Sequence, residues 1–354
     1  MSKNIFFLFY LCVFFLLLKI VAISITSFNL YGDEAQYWLW SKEISFGYFS
    51  KPPMLSWLIW LITAIFGNSF FVLKAIPVTI YCFSAYLIFV LCRKIGNNYE
   101  LSFFCSLTFF LLPGVSFSSF LLSTDVLLIF FWILGLIQVK NIEKSPSLIN
   151  FVLLGMVVGL GFLTKYAEVY FLVCFVVYVF FNQNFKNVIN KSKLKGLFCL
   201  FLIFLIIFPN LLWNYNNGWI TVTHTADNAA LNNIVLNWSG LLLFLFTQII
   251  MVGPILFFGF LIKINRKNLY PNSVFLLSFS LPILFIVSIE AFIVRAHGNW
   301  AAVSLVGFFI FLIQALYSDK KNLLFVNNYL NLFFGIIFFV AITVSHPVKI
   351  FDRI

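Results

Sequence analysis

Residues 31–57 read YGDEAQYWLWSKEISFGYFSKPPMLSW, and the residue types gathered there are ones that do chemistry. Asp33 and Glu34 are adjacent carboxylates, and Tyr37, Trp38, Trp40, Tyr48 and Phe49 supply aromatic faces. Lys51 brings a cation just ahead of Pro52 and Pro53. A carboxylate within hydrogen-bond reach accepts the proton of an attacking hydroxyl. A lysine holds the charge that develops on a departing phosphate. The two prolines stiffen the chain after Lys51 and so fix where its ammonium points. A plainer reading stands beside this one: Asp33 caps a helix over 34–42, and Tyr and Trp anchor the edge of a membrane. Spacing alone weighs the two equally.

Further along, Asp125 follows Ser123-Thr124 at the opening of a helix, where capping is again the plain alternative. Lys165 interrupts an apolar stretch beside Tyr166 and Glu168. Ionisable groups inside such stretches are functional by default, with a Lys165–Glu168 helical pair as the bland alternative. Arg295, His297 and Asn299 head a late apolar run, placed to donate to a phosphate or a sugar hydroxyl. His224 and Asp227 lie in an otherwise uncharged loop over 214–238, where a lone histidine is more often only solvated. The six cysteines form no CxxC pair and read as packing residues. No HExxH or dense His/Asp cluster demands a metal. A divalent cation stays open, with Asp33, Glu34 and Asp125 as its candidate ligands.

What must position these groups follows from composition. Of 354 residues, 63% are hydrophobic and 9% charged, and mean hydropathy is +1.06. A soluble protein of this size cannot hide that much apolar surface, so lipid is its solvent. Disorder, a secreted disulfide scaffold and a nucleic-acid binder are excluded on the same figures. The expected fold is an all-α polytopic membrane protein, one transmembrane domain over 1–354 with about 11 spans. These lie near 5–26, 70–92, 100–116, 121–139, 148–164, 166–182, 195–213, 239–262, 273–294, 299–317 and 323–345. The close pair 148–164 and 166–182 also reads as one long broken helix. Residues 27–69 form the first outer loop and 214–238 the second sizeable one. Within the first, 53–66 is too short for a comfortable span and suits an interfacial or re-entrant helix.

With a cytoplasmic N-terminus, the inner loops hold Lys3, Arg93, Lys94, Lys140, Lys144, Lys186, Lys191, Lys193, Lys195, Lys263, Arg266, Lys267, Lys320 and Lys321. That satisfies the positive-inside rule. Asp33, Glu34, Glu43, Asp125, Glu168, Asp227, Glu290 and Asp352 fall on or near the outer side. Acids contribute little to topology, so their gathering there points to an outward-facing site. Residues 1–26 read as a first span rather than a cleaved signal peptide, because the run is long and carries Lys19. Neither an internal repeat nor mirrored halves are evident.

An Asp-Glu pair after the first span, some way before Lys51-Pro52-Pro53, resembles the polytopic glycosyltransferases of the protein O-mannosyltransferase and aminoarabinose-transferase type. These are GT-C enzymes of glycosyltransferase families 39 and 83. STD (Ser123–Asp125), GLGFLTKYA (Gly159–Ala167), PNLLWNYNNGW (Pro209–Trp219) with His224 beyond it, and RAHGNWAA (Arg295–Ala302) look like later family segments, in order. The resemblance implies a GT-C transmembrane core, a polyprenyl-phosphate-sugar donor, and a lipid, glycan or protein acceptor at the outer face of a bacterial inner membrane. It implies Asp33 as catalytic base, Glu34 as its orienting or acceptor-binding neighbour, and Asp125 as the second acid. Lys51, Lys165 and, more weakly, Arg295 would hold the donor phosphate. Tyr37, Tyr48, Tyr166, His224, His297 and Asn299 are candidate substrate contacts. Aminoarabinose-transferase relatives carry an acid just before Lys-Pro-Pro, and here that position is Ser50. On this reading the long soluble C-terminal domain of those relatives is not expected here.

Direct attack of an acceptor on the anomeric carbon would invert its configuration. The leading expectation is therefore an inverting membrane glycosyltransferase. The alternative is a transporter or flippase of lipid-linked sugars, which predicts charges along a path at mid-membrane depth. Here they cluster at one face.

Overall fold

A backbone in lipid must satisfy its own hydrogen bonds, so apolar runs between breakers fold as helices. The computed structural model describes residues 3–228, 236–262 and 272–344, and among these every regular element is helical. Lys263, Arg266, Lys267 and Asp352, used above for orientation, lie outside the described residues. The chain opens with α1 (Lys3–Ile25), α2 (Gly32–Trp40), α3 (Met54–Phe66), α4 (Phe70–Lys94), α5 (Tyr99–Leu111) and α6 (Pro113–Ser118). Next come α7 (Thr124–Lys144), α8 (Leu148–Thr164), α9 (Val169–Phe181), α10 (Gln183–Lys191), α11 (Lys193–Asn216) and α12 (Ile220–Asn228). The last third holds α13 (Trp238–Val252), α14 (Pro254–Ile262), α15 (Ser273–Ser278), α16 (Leu281–Ile293), α17 (Ser304–Tyr317) and α18 (Lys321–Val344).

The chain is a multi-pass membrane protein. Six described stretches are long and apolar enough to cross a bilayer: α1, α4, α7, α11, α15 with α16, and α18. A seventh is the pair Tyr166–Phe181 and Gln183–Lys191, bent by 109°. The apolar helices α3, α5, α8, α13 and α17 are shorter, at 13 to 17 residues. Hydropathy adds up apolar residues and does not see where a helix breaks, which is why it counts more spans. Proline lacks an N–H and ends a helix before it. Pro113 thus separates α5 from α6, and Gly253-Pro254, with Gly253 at φ 103°, separates α13 from α14. Segments 148–164 and 166–182 are two helices, parted by an extended Lys165 and a 3-10 turn over Tyr166–Glu168.

Polar contacts mark two ends of the bundle. At one, Lys94 donates to Asn141 Oδ1 (2.6 Å), Lys195 to the Pro146 carbonyl (2.6 Å) and Lys321 to Glu100 (2.6 Å). At the other, Lys74 meets Glu34 and Lys165 meets Asp125. Helices α4 and α7 therefore run in the same direction, with α5 and α6 as the return. Between the ends the core is aromatic: Trp132 of α7, Phe171 of α9 and Phe279 after α15 pack ring against ring, with centroids 5.0 to 6.3 Å apart. Lys19 of α1 is fully buried, its ammonium 4.5 Å from the Phe15 ring and 4.3 Å from that of Phe110. The faces of those rings offset the lost solvent.

Candidate active site

The site begins with how α2 starts. Glu34 stands in its first turn and accepts the Tyr31 backbone N–H at 2.8 Å, so Glu34 closes the helix N-terminus and Asp33 is not the cap. The Glu34 carboxylate also takes the Lys74 ammonium at 2.7 Å on both oxygens and the Leu122 N–H at 2.7 Å. A carboxylate has about four lone-pair sites, and four contacts fill them. Lys74 donates further to the Phe120 carbonyl at 3.0 Å and lies 4.1 Å from the Phe120 ring. Glu34 thus ties α2 to α4 and to the turn before α7. One residue earlier on the same helix, Asp33 points elsewhere by about 100° of rotation. It is exposed, and no group among the described residues donates to it.

Asp33 lies on the wall of a cavity of about 840 Å³. The same wall holds Glu34 and Tyr37 of α2, Lys51 of the loop before α3, Asp125 of α7, and Lys165 from the break after α8. His297 and Asn299 come in from the segment between α16 and α17. Much of the remaining lining is apolar, with Phe109, Leu112, Met251 and Phe309 among it. The polar groups sit where helices begin or break. Those are the places where backbone groups lack helical partners and side chains gather.

Asp125 sits in the first turn of α7, whose N-cap is Ser123, and its side chain spends its oxygens across the cavity. Oδ1 accepts from the Lys165 ammonium at 2.6 Å and Oδ2 from Asn299 Nδ2 at 2.7 Å. Lys165 reaches it because its backbone is extended, φ −158° and ψ 135°, between α8 and the 3-10 turn. The alternative Lys165–Glu168 pair is absent. Glu168 is fully buried, and neither of its carboxylate oxygens finds a hydrogen-bond partner among the described residues. It packs against Gly161, where an added Cβ would lie 2.6 Å from Glu168 Cδ.

Lys51 is partly buried, and its ammonium makes no hydrogen bond among the described residues. Loss of solvent, and then the charge of Lys165, pull its ammonium below the ordinary lysine range, against the opposing pull of Asp125 and Asp33. Two cations face one cavity with one of them unspent. Burial, with Asp33 next in weight, pushes the Tyr37 phenol up, so Tyr37 offers a neutral hydroxyl.

Four of the residues singled out from sequence do not line the cavity: Tyr48, Tyr166, His224 and Arg295. Tyr48 stacks on Trp40 with ring centroids 4.9 Å apart and donates to the Trp40 carbonyl at 2.9 Å. Tyr166 donates to Asn210 Oδ1 at 3.0 Å, and the His224 ring lies 4.7 Å from that of Phe49. Lys74 was not foreseen. Its signal was available, a lone lysine a turn inside an apolar helix. Asn210, buried on α11, was also missed.

The three acids do not form a metal-ligand set. Glu34 is saturated, Asp125 is engaged by Lys165 and Asn299, and no group of three His, Cys, Asp or Glu gathers among the described residues.

Residues 50–213 match the family model for dolichyl-phosphate-mannose-protein mannosyltransferase, a stretch that includes Lys51, Asp125 and Lys165. The lipid A galacturonosyltransferase RgtD of Rhizobium johnstonii is 29% identical over 311 residues, 86% of this chain and 64% of that protein. The undecaprenyl phosphate-alpha-4-amino-4-deoxy-L-arabinose arabinosyl transferase of Pseudomonas savastanoi pv. phaseolicola is 29% identical over 136 residues, 36% of this chain and 25% of that one. ArnT from Cupriavidus metallidurans, solved bound to undecaprenyl phosphate, superposes with a TM-score of 0.69 at 14% identity, covering 96% of this chain and 64% of the other. The chain thus spans less than two thirds of the length of each of these proteins. It has the transmembrane fold of the GT-C proteins, and the resemblance read from its sequence holds for that fold.

Proposed function

We propose that this chain is an integral-membrane glycosyltransferase that moves one sugar from a polyprenyl-phosphate donor to a hydroxyl of a lipid, glycan or protein, at the extracytoplasmic face of a bacterial inner membrane. The observation that carries this reading is a single cavity holding an unspent carboxylate, Asp33, together with two lysines, Lys51 and Lys165. The similar proteins are named as glycosyltransferases, and ArnT was solved with undecaprenyl phosphate, which supports the same donor chemistry.

In this reading Asp33 accepts the proton of the acceptor hydroxyl. The acceptor oxygen bonds to the anomeric carbon as the bond from that carbon to the phosphate oxygen breaks. The electron pair leaves on polyprenyl phosphate, and the sugar's configuration inverts. Lys51 and Lys165 face the charge that grows on the leaving phosphate, in a site partly closed to water where such contacts count for more. The apolar part of the cavity lining suits the adjoining prenyl chain. Asp125 holds Lys165 in place, and Glu34 holds the helix from which Asp33 projects.

The test is transfer by the purified protein in lipid, with a panel of radiolabelled undecaprenyl-phosphate sugars and an envelope-lipid extract as acceptor. Wild type transfers label to a product, and Asp33→Asn loses about 10²- to 10⁴-fold of that rate, the size of general-base catalysis. Labelled lipid that instead crosses liposomes equally with wild type and Asp33→Asn, with no transfer by either, would replace this reading with a flippase.

A further inference from the structure

Lys51 and Lys165 repel one another, yet each sits on irregular backbone, one in a loop and one at a helix break. Something must hold the two segments together before an anion arrives to offset the repulsion. Among the described residues a set of buried side-chain hydrogen bonds spans both, and its centre is Asn210, a residue outside the cavity wall.

Asn210 and Asn214 lie one turn apart on α11, both fully buried. Asn210 Nδ2 donates to the Phe46 carbonyl at 2.6 Å, five residues before Lys51. Its Oδ1 accepts from the Tyr166 hydroxyl at 3.0 Å, one residue after Lys165. The Tyr166 hydroxyl in turn accepts from Asn214 Nδ2 at 3.1 Å. Just beyond α11, Thr221 Oγ1 donates to the Tyr48 carbonyl at 2.6 Å, and the Tyr48 N–H donates to the carbonyl of Lys51 itself at 3.2 Å. Between these bonds Gly47 lies flat on Trp213, where a Cβ would come within 2.3 Å of the ring. A single amide therefore bonds both lysine-bearing segments, donor end to one and acceptor end to the other. Buried amides bonded at both ends are costly to disturb, because an unpaired group keeps its desolvation penalty.

We propose that Asn210 is a positioning residue for anion capture, clamping the loop of Lys51 to the turn of Lys165 so that the two ammonium groups stand at fixed spacing across the cavity. This rests on the reading of the cavity as a polyprenyl-phosphate site. Without the clamp the loop relaxes away from Lys165, and the phosphate must pull it back at a cost in affinity.

The experiment measures binding of undecaprenyl phosphate, by tryptophan fluorescence, to the full chain in phosphatidylcholine nanodiscs. Asn210→Ala is expected to weaken binding about three- to tenfold, the worth of one or two hydrogen bonds. Tyr166→Phe removes a single hydroxyl, keeps the ring, and is expected to act in the same direction, so a failure of Asn210→Ala to fold leaves the proposal open to test. In a Lys51→Ala background both substitutions are expected to cost less than about twofold, because the group they position is gone. A general loss of packing would instead weaken both backgrounds alike.

The pH profile adds a second discriminator. Lys51 is faced by Lys165 at the helix break, Asp125 of α7 and Asp33 of α2, and His297 lines the same cavity. Moving the loop away from Lys165 and toward water raises the Lys51 pKa, so the alkaline limb of binding shifts upward in Asn210→Ala although affinity falls. Unchanged affinity in both variants, or equal losses with and without Lys51, overturns the clamp while leaving the phosphate site standing. A wild-type chain that captures no undecaprenyl phosphate overturns the phosphate site and the clamp together.

Discussion

Two carboxylate–lysine pairs stand near one another and share a chemistry, but not a use. Glu34–Lys74 is sealed, with side-chain exposures of 2% and 1%, and Glu34 accepts backbone N–H groups from Tyr31 and Leu122 besides. Asp125–Lys165 has the same kind of short contact, yet its side chains keep 12% and 16% exposure and both line the cavity. In the first pair every lone-pair site is committed, so it fastens elements. In the second the ammonium has donors to spare and a solvent-side approach, so it can turn to an incoming phosphate. Adjacent Asp33 and Glu34 repeat the lesson at the scale of one residue. Capping and pairing consume Glu34 and leave Asp33 open.

If saturation separates the two roles, mutations should separate them too. Lys74→Ala leaves a buried carboxylate unpaired, which costs about 3–5 kcal/mol. Loss of folded protein in a detergent thermal-stability assay is the expected result, and a variant that melts with wild type would place Lys74 among the dispensable groups. Replacing both partners, Glu34→Gln with Lys74→Met, is expected to recover part of that loss, since no unpaired charge is left buried while the amide oxygen can still accept one of the two backbone N–H groups. Lys165→Ala acts the other way. Melting moves little, while undecaprenyl phosphate binding weakens about tenfold, as for loss of one charge-assisted contact. The smallest effect is expected from Lys51→Arg. Lys51 gives up its proton below the usual lysine range, so binding that depends on its charge fails on the alkaline side at a lower pH than for a free lysine. A guanidinium stays charged throughout, so the variant should keep binding to higher pH. An unchanged alkaline limb would assign that titration to another group.

Much of this was legible in the residues. The excess of apolar residues set the helical membrane fold, the acids gathered at one end pointed to an outward-facing site, and the family resemblance singled out Asp33, Lys51, Asp125 and Lys165. The structure brings those four to one cavity. What the string did not carry was long-range pairing. Lys74 finds Glu34 forty residues away in sequence, and Lys165 finds Asp125 rather than the nearer Glu168. Local rules for capping and helical pairs name neighbours along the chain, and here tertiary partners outcompete them. Helix breaks were also hidden, because Leu112–Pro113 and Gly253–Pro254 sit inside runs that hydropathy scores as continuous. Asn210 looks like any polar residue near the end of a span until its two bonds are seen.

The most direct test measures binding and transfer on the same nanodisc samples, for wild type, Asp33→Asn and Lys165→Ala. If Asp33 moves the proton and the lysines hold the phosphate, the two functions come apart. Asp33→Asn should bind undecaprenyl phosphate within about threefold of wild type and transfer no sugar above about one hundredth of its rate. Lys165→Ala should bind weakly and recover part of its transfer when donor is raised. Asp33→Asn transferring sugar at the wild-type rate would contradict the account at its centre.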